Sequence, residues 1–352
     1  MKTNPFSVSF GTEPANYISR FIQTDEVIEA FTADNASDHI FMITGVRGSG
    51  KTVLLTVLSD HIASLGDWIV INVTPETDIL DKMVSKLYNN KALRKLFVKA
   101  SINLSVMGQG ITIENKAPVY DAETVLEQML TELKKHGKKV LVALDEAVNN
   151  QYVKIFSASF QILIRQKLPV FLLMTGLYEN INNLQNEKTL TFLYRAPKIM
   201  LDPLNIGAVA RSYRDILKID ENTASEMARL TKGYPYAYQL LGYLYWNRFI
   251  SGGEKADIEM LMSEFDNRLE NYVYEKIWSE LSPKEQEILS LIKDDERIKV
   301  ADIREKLELT SSAMSVYRDR LNKKGLIDVS RFGYISLKLP RFSAITRIWT
   351  EN

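Results

Sequence analysis

Eight consecutive residues, Gly45, Val46, Arg47, Gly48, Ser49, Gly50, Lys51 and Thr52, fit the pattern G-x-x-x-x-G-K-[ST]. The chemistry this spacing serves is the holding of a polyphosphate. Glycines let the backbone turn until successive N–H groups face one anion. A helix that follows adds the positive end of its dipole. Lys51 is long enough to reach the β- and γ-phosphates, and the Thr52 hydroxyl suits Mg²⁺. Val53, next in the chain, completes the expected nucleotide-contacting set. Without its context the match would read only as a Gly-rich turn from a strand into a helix.

A second group is acidic. Val140-Leu141-Val142-Ala143-Leu144 runs into Asp145-Glu146, placing two carboxylates just beyond an apolar strand. An Asp at such a strand end holds Mg²⁺ in phosphate-loop enzymes, and the adjacent Glu can polarise a water for attack. Many strands end in an acidic turn, so the pair gains weight only beside the glycine-rich loop. A third apolar run, Phe171 to Met174, ends in the hydroxyl of Thr175; a hydroxyl there either serves chemistry or caps the next turn. Arg195 precedes Ala196-Pro197 and has three readings: a phosphate contact in its own chain, an arginine finger into a neighbour's site, or a surface charge.

These groups need a frame. Up to about residue 200, short β-branched runs alternate with helical patterns, the signature of an α/β protein with a parallel sheet covered by helices on both faces. Strands are expected at His39–Thr44, Trp68–Val73, Lys139–Leu144 and Pro169–Met174, with the continuous apolar character of doubly covered strands. Helical regions are expected at Lys51–Leu65, Asp78–Ala100, Ala122–Lys135 and Val153–Gln166. Asn103 to Glu114 alternates around Gly108-Gln109-Gly110, which suggests a β-hairpin. The pattern changes after Leu201-Asp202-Pro203 and becomes helical to about Asn271, broken at Gly233-Tyr234-Pro235 and at Ser251-Gly252-Gly253. Three domains follow from this: 1–202, 203–279 and 280–352.

The last of these reads as a winged helix-turn-helix. Leu281–Ile292 and Val300–Leu307 are helical, and Thr310 or Ser311 can cap a third helix. Met314, Tyr317 and Leu321 fall on its core face. Lys323-Lys324-Gly325 ends it, and two strands follow around Arg331-Phe332-Gly333. From Thr310 to Arg347 there are eight basic residues and two acids, an excess of six positive charges in a chain with 44 of each sign overall. Such a local excess suits a DNA phosphate backbone. Ser312, Ser315 and Arg318 are candidate groove contacts, with Lys323, Lys324 and Arg331 as further DNA-binding candidates. Winged helices also bind proteins, and Lys is favoured at helix C-termini in any case.

Composition narrows the rest. Hydrophobic residues make up 45% and charged residues 25%, as in ordinary globular proteins. The absence of cysteine excludes disulfides, thiol catalysis and thiolate metal sites. His39, His61 and His136 lack ligand spacing, so a zinc centre is not expected. The N-terminus has no apolar signal-peptide core, no apolar run is long enough to span a bilayer, and a cytoplasmic location is the expectation.

Taken together, these residues resemble the AAA+/STAND branch of P-loop ATPases, especially origin-recognition-type initiators and archaeal-type ATPases. Pro14 to Arg20, followed by a helical Asp25–Phe31, resembles the segment that covers adenine, which implies nucleotide contacts at Tyr17 and Arg20. Arg47 is the basic loop residue that archaeal-type members often carry. Gly233-Tyr234-Pro235 resembles the G-x-P element and implies a base or ribose contact at Pro235. Thr175 becomes the candidate γ-phosphate sensor. The helix after the G-x-P element often carries an Arg in AAA+ members, whereas Tyr236-Ala237-Tyr238-Gln239 stands here, which favours the STAND-like variant. The resemblance implies ATP/ADP and Mg²⁺ as cofactors, slow partner-stimulated ATP hydrolysis with Lys51, Asp145, Glu146, Thr175 and Arg195 in catalytic roles, duplex DNA as partner, and a homo-oligomer or protein partner. The rival expectation is a signalling or scaffold ATPase whose winged helix contacts protein.

Overall fold

The computed structural model describes residues 3–9, 14–34, 36–100, 102 and 121–350. The hairpin expected at 103–114 lies outside the described residues. The chain divides into two compact units, each discontinuous in sequence.

One unit comprises residues 21–44 and 54–199. Its elements are α1 (Phe21–Thr32), β1 (Ile40–Thr44), most of α2 (Lys51–Ser64), β2 (Trp68–Val73), α3 (Ile79–Asn89), α4 (Lys91–Lys99), α5 (Ala122–Lys135), β3 (Lys139–Leu144), α6 (Gln151–Arg165), β4 (Val170–Gly176), α7 (Tyr178–Gln185) and the start of β5 (Lys198–Met200). The five strands form one sheet in the order β2-β3-β4-β1-β5. The pairs β2/β3, β3/β4 and β4/β1 are parallel. β3 and β4 are buried almost end to end, which explains their unbroken apolar runs. The helical stretch expected at 78–100 is two helices, because Asn90 takes an extended ψ of 113° and its side chain accepts the N–H groups of Ala92 and Leu93, capping α4.

The other unit comprises residues 1–20, 45–53 and 200–352. It holds α8 (Ile206–Leu217), α9 (Glu221–Leu230), α10 (Pro235–Tyr245), α11 (Glu259–Leu269) and α12 (Glu275–Ser279), with wide π-helical turns at Trp246–Ser251 and Glu270–Tyr274. Then come α13 (Pro283–Ser290), β6 (Ile298–Lys299), α14 (Val300–Lys306), α15 (Ser311–Lys323), β7 (Ile327–Asp328), β8 (Tyr334–Leu337) and α16 (Phe342–Thr350). The antiparallel sheet runs β6-β8-β7, so α13, α14 and α15 with this sheet make the winged helix. α16 follows the wing and was not foreseen from sequence.

One apolar core serves this whole unit. Phe6 lies inside it, 2% exposed, against Tyr213 and Tyr238. A Cβ on Gly242 would come within 2.4 Å of the Phe6 ring. The N-terminal arm is therefore built into the helical region. Among the described residues, no helix is long and apolar enough to cross a membrane.

Candidate functional site

The phosphate loop occupies residues 45–50 and opens α2 at Lys51. Gly48 and Gly50 have φ of 71° and 88°, the left-handed region that side chains disfavour. At Gly48 the requirement is also steric, since a Cβ there would meet the Tyr234 hydroxyl at 2.3 Å. At Gly50 a Cβ would meet nothing within 4 Å, so that side of the loop is open. Lys51 Nζ donates to the Gly45 and Val46 carbonyls, each at 2.9 Å. Thr52 and Val53 are half-buried in the first turn of α2.

Donors from elsewhere in the same unit hold the loop's next carbonyls. The Tyr234 hydroxyl donates to Arg47 O at 2.5 Å. The Tyr236 N–H donates to Gly48 O at 3.2 Å. The Arg20 guanidinium donates to Ser49 O at 3.2 Å and to Asp202 O at 2.8 Å. Burial lowers the Arg20 pKa, opposed by Tyr17 and Asp202 nearby. Burial raises that of Tyr234 well above the usual phenol value, which keeps its hydroxyl a donor. The Arg47 side chain forms an ion pair with Glu280, 2.7 Å apart.

A small cleft adjoins the loop, lined by Val46, Ser49, Leu201, Pro235, Gly325 and Leu339 among others. Pro235 sits at the first turn of α10, where its missing N–H costs nothing. Ser49 Oγ is buried and has no hydrogen-bond partner, an unusual state for a hydroxyl. Tyr17 lies half-buried on the N-terminal segment. The loop's left-handed glycines with its lysine and threonine form a donor set whose chemistry suits a polyphosphate.

In the sheet unit, β4 separates β3, which ends at the acidic pair, from β1, which leads into the loop. The Thr175 side chain is fully buried. Its hydroxyl donates to the Asp145 carboxylate and accepts the Glu146 N–H at 3.1 Å. Asp145 also accepts that N–H, at 3.0 Å. Glu146 is exposed, with φ of 52°. A carboxylate with a free second oxygen suits Mg²⁺, which binds through few protein ligands plus phosphate and water. Arg195 is exposed at the end of a short 3₁₀ turn, Thr191–Arg195.

On the winged helix, Thr310 caps α15 by accepting the Ala313 N–H. Ser312 and Ser315 are exposed, and Arg331 is exposed with its guanidinium 4.5 Å from the centre of the Tyr334 ring. The other candidates are engaged internally. Arg318 donates to Val329 O at 3.4 Å, Lys323 pairs with Asp319 at 2.6 Å, and Lys324 pairs with the buried Glu285 at 3.0 Å. Beyond them, Lys338 pairs with Asp202 and Arg341 with Asp266. Phe332, at the tip of the wing, is 98% exposed. Sequence reasoning passed over it, although an aromatic between Arg331 and Gly333 in a hairpin was the available signal.

This fold, a parallel sheet followed by a helical region and a winged helix, is shared with solved structures of Walker-type and ORC/Cdc6 proteins. The similar solved structures include the Walker-type ATPase of Pyrococcus abyssi, 17% identical, matching 94% of this chain and 96% of that one with a TM-score of 0.59. They include the ORC2 protein of Aeropyrum pernix, 14% identical over 98% of this chain and 97% of that one, TM-score 0.60. Cdc6p from Pyrobaculum aerophilum is 14% identical over 98% and 96%, TM-score 0.51. At these identities the likeness is one of fold. A family described as a domain of unknown function, DUF8462, matches residues 271–344, covering the winged helix. Comparison with the curated proteins found no match.

Proposed function

We propose that the chain binds and hydrolyses ATP with Mg²⁺ and acts as a nucleotide-dependent switch whose winged helix binds duplex DNA. The observation that carries the first half is the phosphate loop itself: left-handed glycines, Lys51 and Thr52, and carbonyls turned to donors on its outer side. The ORC2 protein of Aeropyrum pernix, which shares the fold, was solved with ADPNP and ADP, and this supports the reading. In it, Gly45 to Val53 hold the phosphates, Thr52 and Asp145 serve Mg²⁺, and Glu146 polarises water. Thr175 positions the acidic pair, and Tyr17 and Pro235 belong to the nucleoside end. The division at 202/203 and 279/280 into ATPase, helical and winged-helix domains is part of the same proposal. Lys51→Ala is expected to lose nucleotide binding, and Glu146→Gln to keep binding while phosphate release falls at least a hundredfold. An unchanged rate in both variants rejects the site.

The DNA half rests on the exposed polar first half of α15 with Arg331 on the wing. Fluorescence anisotropy with labelled duplex, in ADP and in a non-hydrolysable ATP analogue, is expected to show binding that differs between the two. A second reading, protein contact, is favoured by the internal pairing of Lys323, Lys324, Lys338 and Arg341. Absence of duplex binding in either nucleotide state selects it.

A further inference from the structure

Three consecutive peptide units of the phosphate loop are held from outside. The carbonyls of Arg47, Gly48 and Ser49 accept from the Tyr234 hydroxyl, the Tyr236 N–H and the Arg20 guanidinium. A trans peptide is planar, so its C=O and the following N–H point in opposite directions. Fixing these three carbonyls therefore turns the N–H groups of Gly48, Ser49 and Gly50 away from Tyr234, Tyr236 and Arg20. The Ser49 N–H closes a turn on Val46 O at 3.2 Å. At Gly50 a Cβ would meet nothing within 4 Å.

We propose that Tyr234 and Arg20 are positioning residues for phosphate binding: they grip the outer carbonyls of the loop, aim its amides at the polyphosphate, and make no contact with the base. This rests on the nucleotide reading above and assigns these two side chains a role different from the adenine cover that resemblance suggests for Arg20. The chemistry is selective. The Arg20 guanidinium and the Tyr236 N–H have no acceptor to offer, so each of these two holders admits one orientation of its peptide. A flipped peptide would place two donors face to face at a buried site, where an unsatisfied polar group is costly. Tyr234 is 2% and Arg20 9% exposed, so water is a poor substitute for either. Tyr236 acts through its backbone, and Pro235 before it fixes the chain direction at the start of α10. The grip joins three distant stretches, since residues 20, 47–49 and 234–236 must all be in place before the amides converge.

The role predicts that binding is lost for any polyphosphate, with or without a base. The test measures the affinity of the full chain for ATP and for inorganic tripolyphosphate, by calorimetry with Mg²⁺, in wild type, Tyr234→Phe, Arg20→Gln and Arg20→Lys. Tyr234→Phe keeps the ring and removes only the donor, and an unchanged melting temperature checks that it folds. It is expected to weaken ATP and tripolyphosphate by the same factor, about fivefold, the scale of one net hydrogen bond. Arg20→Gln is expected to weaken both, with Arg20→Lys restoring part of the loss because one donor to Ser49 O is recovered. Loss of ATP affinity with tripolyphosphate affinity intact overturns the proposal in favour of a base contact, and unchanged affinity for both in Tyr234→Phe and Arg20→Gln overturns it outright. A wild-type chain that binds neither probe fails the nucleotide reading itself, which is a different result from a silent variant.

Discussion

At Glu146 the backbone takes φ of 52°, a conformation that costs a non-glycine residue about 1 kcal/mol or more. The N–H bonds to Thr175 Oγ1 and Asp145 Oδ1 hold it there. Asn tolerates this region better than Glu. Glu146→Asn is therefore expected to raise stability by up to about 1 kcal/mol in urea titration while abolishing turnover; a destabilised variant would contradict the strain account. Thr175→Val removes the buried hydroxyl and strands two polar partners, with an expected cost of about 1–3 kcal/mol. The candidate groups themselves were legible in the residues. The phosphate-loop motif and the acidic pair are each a contiguous run, so local spacing announces each as a candidate. The partners of Arg47 and Gly48 lie 187 and 188 positions away along the chain, and a backbone carbonyl leaves no trace in composition, so the grip on the loop was not readable.

Among the elements, strands with unbroken apolar runs and helices with clear caps were readable, because burial on both faces and capping chemistry act locally. Shorter pieces such as β5 and β6, of three and two residues, owe their existence to neighbouring strands and carry no periodicity. The winged helix shows how an element's charge can mislead. Glu285 on α13 completes a capping box with Ser282, and its carboxylate also takes Lys324 from the end of α15. Burial alone would raise its pKa, but the Ser282 N–H and the Lys324 ammonium outweigh that and hold it below the usual carboxylate value of 4.5. A folded-state pKa below the unfolded one means that the stabilisation is complete above the unfolded value and disappears as pH falls through the folded value. Urea midpoints are thus expected to fall on going below pH 4.5, and Glu285→Gln should lose stability at pH 7 and show a flatter acid limb. A parallel pH profile in wild type and variant would remove Glu285 from the account. Asn90→Ala, at the junction of α3 and α4, is expected to cost about 1 kcal/mol.

For the molecule as a whole, 44 basic and 44 acidic residues cancel, and the six-charge excess near the C-terminus is met from outside that segment by Asp202, Asp266 and Glu285. Five of its eight basic side chains, Arg320, Lys323, Lys324, Lys338 and Arg341, sit in ion pairs. If those five stay in their pairs on DNA, log K against log salt should fall with a slope no steeper than about −3, against about −7 were all eight engaged. A slope near the steeper value would show that the pairs open on DNA.

The N-terminal arm also bears on how the chain comes to be folded. Phe6 belongs to a core completed by α8, α10 and later residues, so a chain leaving the ribosome has made one of its first core residues long before the partners of that residue exist. At about 5–20 residues per second, the wait until Tyr238 is synthesised lasts on the order of ten seconds or more. The sheet unit, closed by residue 199, has all its strands available earlier. Until then Phe6 lacks its core partners, and synthesis stalled before residue 234 would leave the loop without two of its three holders although every residue of its signature motif had already been translated.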